Sequence, residues 1–404
     1  LARDSRVHGA SFIHTAAKGL SGCGRNVINY DIIPTPTAQF LVEQNKLAGG
    51  IVITASHNPI QWNGLKFIDA NGCFLSGDKN KKLFAIADSD QTHDFTPGSV
   101  QSIENGYLPH INHTLNLSII DAGAIEKRNF TVVVDAVNGA ASSALPAMVK
   151  ALGCRVHRLY CNPDGEFPRG PEPLSHNLKQ LGEAVVTHQA DIGIATDPDG
   201  DRLAIVDEKG NPLGEEYTLT ICADGLLKST SYPESIVTNL STTMALDKVA
   251  EKYGSRVIRS AVGEINVVNK MKEVGAVLGG EGNGGVILPE SHYGRDSLVG
   301  TSMFLNRMAQ DTRTVSEIFQ SMPQFIMVKD KIELGSVDPQ TALDKIEAAY
   351  PDVDSDKTDG LKLSWENSWV HIRKSNTEPI IRIYAEGETK KSTSALVEGV
   401  KQLV

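Results

Sequence analysis

Residues 192–202 read IGIATDPDGDR, an apolar run that ends abruptly in three aspartates spaced two residues apart. The run at 192–195 has the length and composition of a buried strand, and a second apolar run, LAIV at 203–206, follows the polar loop directly. The pattern predicts a strand, a polar loop and another strand. Open α/β sheets place their ligand sites in loops at strand ends, so this loop is the first candidate site.

The same order of features occurs two more times along the chain. Residues 50–53, GIVI, run into TASHNP at 54–59, and residues 276–278, AVL, run into GGEGNGG at 279–285. Before each of the three loops lies a helical run that ends at a glycine and is followed by a β-branched strand. We therefore expect three similar α/β units, each presenting one unusual loop.

The pattern changes after residue 326. The segments KDKIEL at 329–334, LKLSW at 361–365 and WVHIR at 369–373 alternate polar and apolar residues, as expected for an antiparallel sheet with one wet face. Residues 392–404 predict a closing amphipathic helix. The fourth unit is therefore expected to be a smaller α+β domain.

These patterns together predict an α/β protein of four domains. Linkers are expected at 121–128, 228–234 and 321–324. The expected domains are domain I with the first loop at 1–125, domain II at 126–228, domain III at 229–325 and domain IV at 326–404.

Composition narrows the possible partners. A net charge of −10 disfavours nucleic acid, which requires a basic footprint. No apolar run approaches the ~20 residues that span a bilayer, so no membrane partner is expected. No signal-peptide pattern is present at the start, and the five scattered cysteines predict buried free thiols in a reducing cytoplasm. The first residue is not Met, so we expect that an upstream segment is missing.

Asp197, Asp199 and Asp201 place three carboxylates within five residues. Like charges this close raise one another's pKa unless a cation lies among them. A hard divalent ion with oxygen ligands resolves the repulsion, and a site with room for substrate oxygen suits Mg²⁺. An exposed acidic turn is the alternative, but the apolar strands on both sides argue against it.

Ser56 lies in a tight loop after an apolar strand, where a hydroxyl is exposed for nucleophilic chemistry. It lacks the Gly-x-Ser-x-Gly frame of a serine hydrolase, and His57 is expected to point away from it. A turn stabilised by the serine hydroxyl is the alternative. Downstream, Lys66 supplies an amine that can act as acid or base if its neighbours lower its pKa.

The two remaining loops carry groups that suit a sugar phosphate. Glycines at 279–285 let backbone approach a ligand closely, and Glu281 can accept hydrogen bonds from two vicinal sugar hydroxyls. The segment RKSNTEP at 373–379, with Arg382 nearby, combines cations, hydroxyls and an amide that suit a phosphate dianion. A flexible surface loop and a solvated basic turn are the respective alternatives.

These four loops, in this order, resemble the α-D-phosphohexomutase superfamily. Its hallmarks are a phosphoserine loop of Thr-Ala-Ser-His-Asn-Pro type, a metal loop of Asp-x-Asp-x-Asp-Arg type, a Gly-Glu sugar loop and an Arg-x-Ser-Asn/Gly-Thr-x-Pro phosphate loop. All four occur here, at 54–59, 197–202, 280–285 and 373–379. The resemblance spans nearly the whole chain and implies four domains around a central cleft.

The resemblance also implies residue roles. Ser56 would carry the transferable phosphoryl group, Lys66 would be a general acid/base, and His57 and Arg202 would complete the catalytic set. Mg²⁺ would bind a phosphoserine oxygen of Ser56 together with Asp197, Asp199 and Asp201. The residues expected to bind substrate are Glu281, Asn283, Arg373, Ser375, Asn376, Thr377 and Arg382, the clamp from 373 onward holding the non-reacting phosphate.

The implied reaction interconverts hexose 6-phosphate and hexose 1-phosphate through a hexose 1,6-bisphosphate, in a monomer or homodimer. The resemblance departs from the superfamily pattern in two places: the usual Arg-Gly loop would lie upstream of Leu1, and Asn283 stands where Ser is common. The sugar loop is most similar to archaeal-type phosphoglucosamine mutases, followed by dual phosphomannomutase/phosphoglucomutases.

Two other functions compete. An aspartate-based phosphatase using Asp197 as nucleophile would leave Ser56 and the 373–379 loop unexplained. The non-enzyme alternative is an inactive sugar-phosphate binding protein.

Overall fold

A computed structural model describes residues 1–89, 95–333, 338–374 and 380–404. The stretch at 192–202 forms a strand and a loop, as predicted, in the sheet of the second α/β unit. This unit contains β6 (Thr131–Asp135), α6 (Ala144–Ala151), β7 (Arg155–Leu159), α7 (Lys179–Thr187), β8 (Ile192–Thr196) and β9 (Leu203–Val206). The strand order is β7-β6-β8-β9, with only β9 antiparallel. Every residue of β8 is buried, because helices cover both faces of the sheet.

The first unit repeats this plan. It contains β1 (Ala2–Arg3), α1 (Gly9–Gly22), β2 (Val27–Asn29), α2 (Thr35–Gln44), β3 (Gly50–Ile53), β4 (Leu65–Ile68), α3 (Gly77–Ala87) and β5 (Val100–Ser102). β1 pairs parallel with β3, and β3 pairs antiparallel with β4. A parallel bridge from Arg3 to Ile32 extends the sheet towards β2, which pairs with β5.

Two helices, α4 (Leu108–Leu115) and α5 (Ala122–Arg128), lie between the first and second units in the chain. The third unit follows the second. It contains α8 (Glu216–Ser229), β10 (Ser235–Asn239), α9 (Ala245–Lys252), β11 (Arg256–Ser260), α10 (Glu264–Val274), β12 (Leu278–Glu281), β13 (Gly285–Ile287), α11 (Ser297–Ala309) and α12 (Val315–Gln320). Its strand order, β11-β10-β12-β13 with β13 antiparallel, matches that of the second unit. The predicted repeat of mixed α/β units is confirmed.

The fourth unit is an antiparallel sheet with two helices. It contains β14 (Ile326–Glu333), α13 (Pro339–Ala349), β15 (Asp354–Asp356), β16 (Leu361–Trp365), β17 (Ser368–Lys374), β18 (Ile380–Gly387) and α14 (Lys390–Lys401). The order is β14-β18-β17-β16-β15, and a separate apolar core lies beneath the sheet. The prediction of a smaller α+β unit is confirmed.

The helices at the expected linkers revise the domain limits. The expected linker at 121–128 is mostly α5, so a boundary at 125/126 falls within a helix. A boundary at 228/229 cuts the last turn of α8, and α8 packs on α9, α11 and β12 of the third unit. We propose that the third domain begins before α8.

Two smaller findings concern the surface. The cysteines are all free, but Cys23 is exposed and Cys161 is half-buried, so the prediction of uniformly buried thiols is wrong for these two. Among the helices of the described residues, none has the length and apolar character that a membrane crossing requires.

Candidate active site

Ser56 lies where the first unit meets the second. It follows β3 and has a φ of +49°, a left-handed conformation that is uncommon outside glycine. Its N–H donates to Thr54 Oγ1 at 2.9 Å. Its Oγ lies 3.3 Å from Asp197 Oδ2, so the predicted nucleophile and the predicted metal loop are brought together.

A buried arginine fixes the shape of this loop. Arg6 is fully buried, and its Nε donates to Asp4 Oδ2 at 2.9 Å. Its two terminal nitrogens donate to four backbone carbonyls of the loop, those of Ser56, Asn58, Pro59 and Trp62, at 2.7–3.0 Å. Arg6 therefore holds the backbone of the serine loop in place, a role that was not predicted from the sequence.

We expect Arg6→Met to destabilise the protein by about 3–5 kcal/mol, because it leaves Asp4 buried without its cation and four carbonyls without their donor. The matched control is Arg256→Met, which removes an exposed hydrogen bond from Arg256 Nε to Ser235 Oγ and should cost only about 0–1 kcal/mol. Urea unfolding of both variants measures the difference. Equal losses would contradict a special role for Arg6.

The three aspartates form a compact buried cluster. Asp197, Asp199 and Asp201 are each at most 1% exposed, and they offer one oxygen each within 4.8 Å of one another. Asp199 Oδ1 and Asp201 Oδ1 accept no hydrogen bond from any described residue. Buried carboxylate oxygens without donors are costly, so these atoms fit a bound cation. The structure thus contains a candidate metal site of three aspartates.

The charges around this cluster are uneven. Burial, with Asp201 and Asp199 nearby, raises the pKa of Asp197 well above its ordinary value. Burial also opposes ionisation of Asp201, but Arg295 and Lys66 hold its pKa below the ordinary value. Asp197 is therefore the carboxylate that gains most from an added cation.

Lys66, on β4, lies against the same cluster. Its Nζ is 2.6 Å from Asp199 Oδ2 and 3.3 Å from Asp201 Oδ2. Burial opposes the charged amine, but these two carboxylates outweigh it and raise the pKa of Lys66. In this arrangement Lys66 is a charged donor, and its expected role as an acid or base stays a prediction.

His57 and Arg202 form a second contact between the first two units. Arg202 Nη2 lies 3.0 Å from His57 Nδ1, and Arg202 Nη1 donates to Glu172 Oε1 at 2.5 Å. Burial, with Arg202, lowers the pKa of His57, so its imidazole is neutral. The expectation that His57 points away from Ser56 is wrong, because His57 Nδ1 lies 3.4 Å from Ser56 Oγ.

In the sugar loop, Glu281 is buried and fully engaged. Its Oε1 accepts from Asn239 Nδ2 at 2.8 Å and from the Gly263 N–H at 3.0 Å. Its Oε2 accepts from Arg295 Nη1 at 2.9 Å and from Asn283 Nδ2 at 3.5 Å. These contacts hold both oxygens, so binding of sugar hydroxyls by Glu281 stays a prediction.

Arg295 joins the metal loop to the sugar loop and was not anticipated. It lies just before α11 and contacts three carboxylates, those of Asp201 at 2.7 Å, Glu281 at 2.9 Å and Glu264 at 3.0 Å. These three contacts keep its guanidinium charged and raise its pKa, although burial acts in the opposite direction. One arginine therefore fixes the distance between two of the four loops.

Two arginines of the fourth unit face the cleft. Arg373 and Arg382 occupy paired positions on β17 and β18, and both line the cleft. Like charges directly opposite on neighbouring strands repel, so the pair favours an anion between or beside them. Arg373 Nε lies 3.3 Å from Asp359 Oδ2. Ser375, Asn376 and Thr377 lie outside the described residues.

Residues from all four units line one open cleft, including His57, Arg202, Glu281 and Arg373. The central cleft implied by the resemblance is therefore present. Two residues of its lining reach the serine and metal loops: His57 Nδ1 lies 3.4 Å from Ser56 Oγ, and the Arg202 N–H donates to Asp197 Oδ1.

Comparison with known proteins agrees with this architecture. Four phosphoglucomutase/phosphomannomutase family models match the chain: α/β/α domain I over residues 1–94, domain II over 105–210, domain III over 214–325 and the C-terminal domain over 328–403. The chain therefore belongs to the phosphoglucomutase/phosphomannomutase family, and its expected class, phosphohexomutase, is confirmed.

Individual relatives cover almost the whole chain. A phosphoglucomutase/phosphomannomutase of Thermococcus kodakarensis is 35% identical over 99% of this chain and 88% of its own length. A phosphoglucosamine/phosphogalactosamine mutase of Sulfurisphaera tokodaii is 30% identical over 100% of this chain and 90% of its own.

Solved structures share the fold. A family protein of Burkholderia thailandensis has a TM-score of 0.85 at 26% identity, covering 100% of this chain and 87% of that one. An Aspergillus fumigatus N-acetylphosphoglucosamine mutase, described in complex with GlcNAc-6P and magnesium, has a TM-score of 0.58 at 15% identity, covering 98% of each chain. At that identity the likeness concerns the fold alone.

Proposed function

We propose that this protein is a Mg²⁺-dependent phosphohexomutase that transfers a phosphoryl group through phosphoserine at Ser56, with glucosamine phosphate as its sugar. The observation that carries the proposal is the 3.3 Å contact between Ser56 Oγ and a buried cluster of three aspartates. A phosphate dianion on Ser56 would face these carboxylates, and that arrangement requires a cation. The alternative sugars are glucose and mannose.

In the proposed reaction, a substrate hydroxyl oxygen forms a bond to phosphorus as the bond between phosphorus and Ser56 Oγ breaks. The hydroxyl gives up its proton and Ser56 Oγ gains one, so the step is balanced in protons. The hexose 1,6-bisphosphate then turns over in the cleft, and Ser56 Oγ takes back the other phosphate. Asp197, Asp199 and Asp201 would hold Mg²⁺, which supplies neutralisation of charge on the transferring group. The remaining catalysis is positioning by the chain itself.

The protonation state of Lys66 indicates its role in proton transfer. Lys66, held as a charged amine by Asp199 and Asp201, enters as an acid and stabilises developing negative charge near the carboxylates. His57 is a neutral imidazole whose Nδ1 accepts a hydrogen bond from Arg202 Nη2 at 3.0 Å and lies 3.4 Å from Ser56 Oγ. His57 is therefore proposed to position the Arg202 guanidinium beside the phosphoserine.

The fourth unit is proposed to hold the phosphate that is not reacting. Arg373 and Arg382 supply the positive charge, with Ser375, Asn376 and Thr377 as the expected hydroxyl and amide donors. A coupled assay on the 1-phosphates and 6-phosphates of glucosamine, glucose and mannose tests the function directly. Absence of turnover on all three sugars in the presence of Mg²⁺ and a bisphosphate activator would refute it.

We expect Arg373→Ala to raise KM roughly 10–100-fold, since a hydrogen bond to a charged group is worth about 1.5–3 kcal/mol. The rise should be equal for the 1-phosphate and the 6-phosphate, because this site holds whichever phosphate is not reacting. Lys374→Ala is the matched control, since neighbouring strand residues point to opposite faces. An effect on only one regioisomer would contradict the shared role.

A further inference from the structure

Among the residues that the structure describes, four glutamates line the cleft, and they differ in how close a cation lies to each. Three have a close cation: Glu172 with Arg202 at 2.5 Å, Glu215 with Lys329 at 2.5 Å and Glu281 with Arg295 at 2.9 Å. The fourth, Glu216, has only Lys329, which lies 3.8 Å from its Oε1 and is already paired with Glu215. Among the described residues, Glu216 is therefore the cleft glutamate without a close cation of its own.

Glu216 is nevertheless held firmly at the wall of the sugar site. It is the first residue of α8, and its side chain is 12% exposed. Its Oε2 accepts the N–H of Thr243 at 3.0 Å, whereas no described residue donates a hydrogen bond to Oε1. One carboxylate oxygen is thus anchored and the other is left with acceptor capacity.

Gly282 of the sugar loop makes room for this carboxylate. A Cβ at position 282 would lie 1.9 Å from Glu216 Oε2 and 2.6 Å from Oε1. Both oxygens therefore lie directly against the sugar loop, beside Glu281. Any side chain at 282 would displace the Glu216 carboxylate.

A spare carboxylate is unexpected in a cleft that receives a phosphate. Burial, with Glu215 nearby, raises the pKa of Glu216 to about 8, although Lys329 acts to lower it. Glu386, the other carboxylate that acts on it, is itself bonded to the Met244 N–H and Trp369 Nε1. A carboxyl with a pKa of about 8 is largely protonated at neutral pH when no cation is beside it. An ammonium group donates hydrogen bonds and carries the opposite charge, so it would stabilise the ionised carboxylate, whereas a neutral sugar hydroxyl would not.

We propose that Glu216 is a specificity-determining residue that receives the ammonium group of an aminohexose phosphate. The inference rests on the proposed function and assigns the preference for an amino sugar to one carboxylate at the α8 end of the cleft. Glu281 and Glu172 are already neutralised by arginines, so they are less suited to this task.

The test compares kcat/KM for glucosamine 6-phosphate with kcat/KM for glucose 6-phosphate in each variant. Glu216→Gln keeps the size of the side chain and an oxygen for the Thr243 N–H, but removes the charge. The ratio of the two constants should fall roughly 10–100-fold, the loss expected for one charge-assisted hydrogen bond. Gly282→Ala, which displaces the same carboxylate, should move the ratio in the same direction.

Glu208→Gln is the matched control, because it removes the same charge from a carboxylate that does not line the cleft and is held by the N–H and hydroxyl of Ser316. It should leave the ratio within about twofold of wild type. A fall in Glu208→Gln as large as in Glu216→Gln would assign the preference to the general charge of the protein and overturn the proposal. An unchanged ratio in Glu216→Gln would also overturn it.

Assays of the wild-type enzyme distinguish a failure of the proposed role of Glu216 from a failure of the proposed function. If it converts glucose or mannose phosphates but not glucosamine phosphate, the phosphohexomutase function stands and the role of Glu216 falls. If it converts none of the three, the proposed function itself fails.

Discussion

Ser56→Ala should lower phosphohexomutase turnover by roughly a thousandfold or more, because the variant has no oxygen to carry the phosphoryl group. The fold should survive the change. Alanine meets the same backbone demand as serine at a φ of +49°, and the loop is fixed by Arg6 through carbonyl groups rather than through the hydroxyl. The measurement is the coupled assay together with intact mass.

The mass spectrum makes this prediction specific. Wild-type enzyme incubated with hexose 1,6-bisphosphate should gain one phosphate, and peptide mapping should place it on Ser56. Ser21→Ala is the matched control, since the one hydrogen bond that the Ser21 hydroxyl makes to a described residue is to the Lys18 carbonyl of α1. Full activity of Ser56→Ala, or a phosphate on another residue, would refute the phosphoserine mechanism.

Much of the fold could be predicted from local sequence. The strand at 192–196 and the loop after it follow from an apolar run that ends in charged residues, a signal contained within eleven residues. The repeat of three units could be predicted because each unit contains an apolar strand that runs into an unusual loop. The assignment of α8 to the third unit could not be predicted, because α8 packs on β12 and α11, which lie far along the chain.

The residues of the site also fall into those that a local motif predicts and those that it does not. Ser56 and the three aspartates could be named because they stand in short, unusual motifs. Arg6 and Arg295 could not, since each acts on partners distant in sequence: Arg6 contacts a carbonyl 50 residues away and Arg295 contacts a carboxylate 94 residues away. An isolated arginine carries no local signal of the shape it will complete.

Glu281 shows a second limit of predicting a binding site from a sequence motif. A Gly-Glu pair in a glycine-rich loop indicates a carboxylate near the ligand, but the sequence does not show how many donors that carboxylate already serves. Four internal donors surround Glu281, whereas Glu216 keeps one oxygen without a hydrogen-bond donor among the described residues. Their availability to substrate depends on neighbours that only the fold supplies.

Asp197→Asn should remove most of the response to Mg²⁺ without weakening the protein in the absence of metal. Among the described residues Asp197 forms no ion pair, and burial with two neighbouring carboxylates disfavours its charge more than Arg202 and Lys66 favour it. An amide relieves that repulsion. Its oxygen can still accept the N–H groups of Asp201 and Arg202, which now donate to Asp197 Oδ1 at 3.1 and 3.2 Å.

The size of the effect follows from mass action. With Mg²⁺ at a hundred times its Kd, the wild-type protein gains about 2.7 kcal/mol of stability. If loss of the ligand weakens binding ~100-fold, the same Mg²⁺ concentration gives the variant only about 0.4 kcal/mol. Urea unfolding with and without Mg²⁺ measures this difference independently of turnover, which should also be lost.

Asp207→Asn provides the matched control, because it makes the same chemical change just after β9. There the carboxylate serves a turn by accepting the N–H groups of Lys209 and Asn211. Its response to Mg²⁺ should equal that of wild type, whatever the cost to the turn. If Asp197→Asn keeps the full Mg²⁺ response, the metal binds elsewhere, and the charge on Ser56 must be neutralised by Lys66 and Arg202 alone.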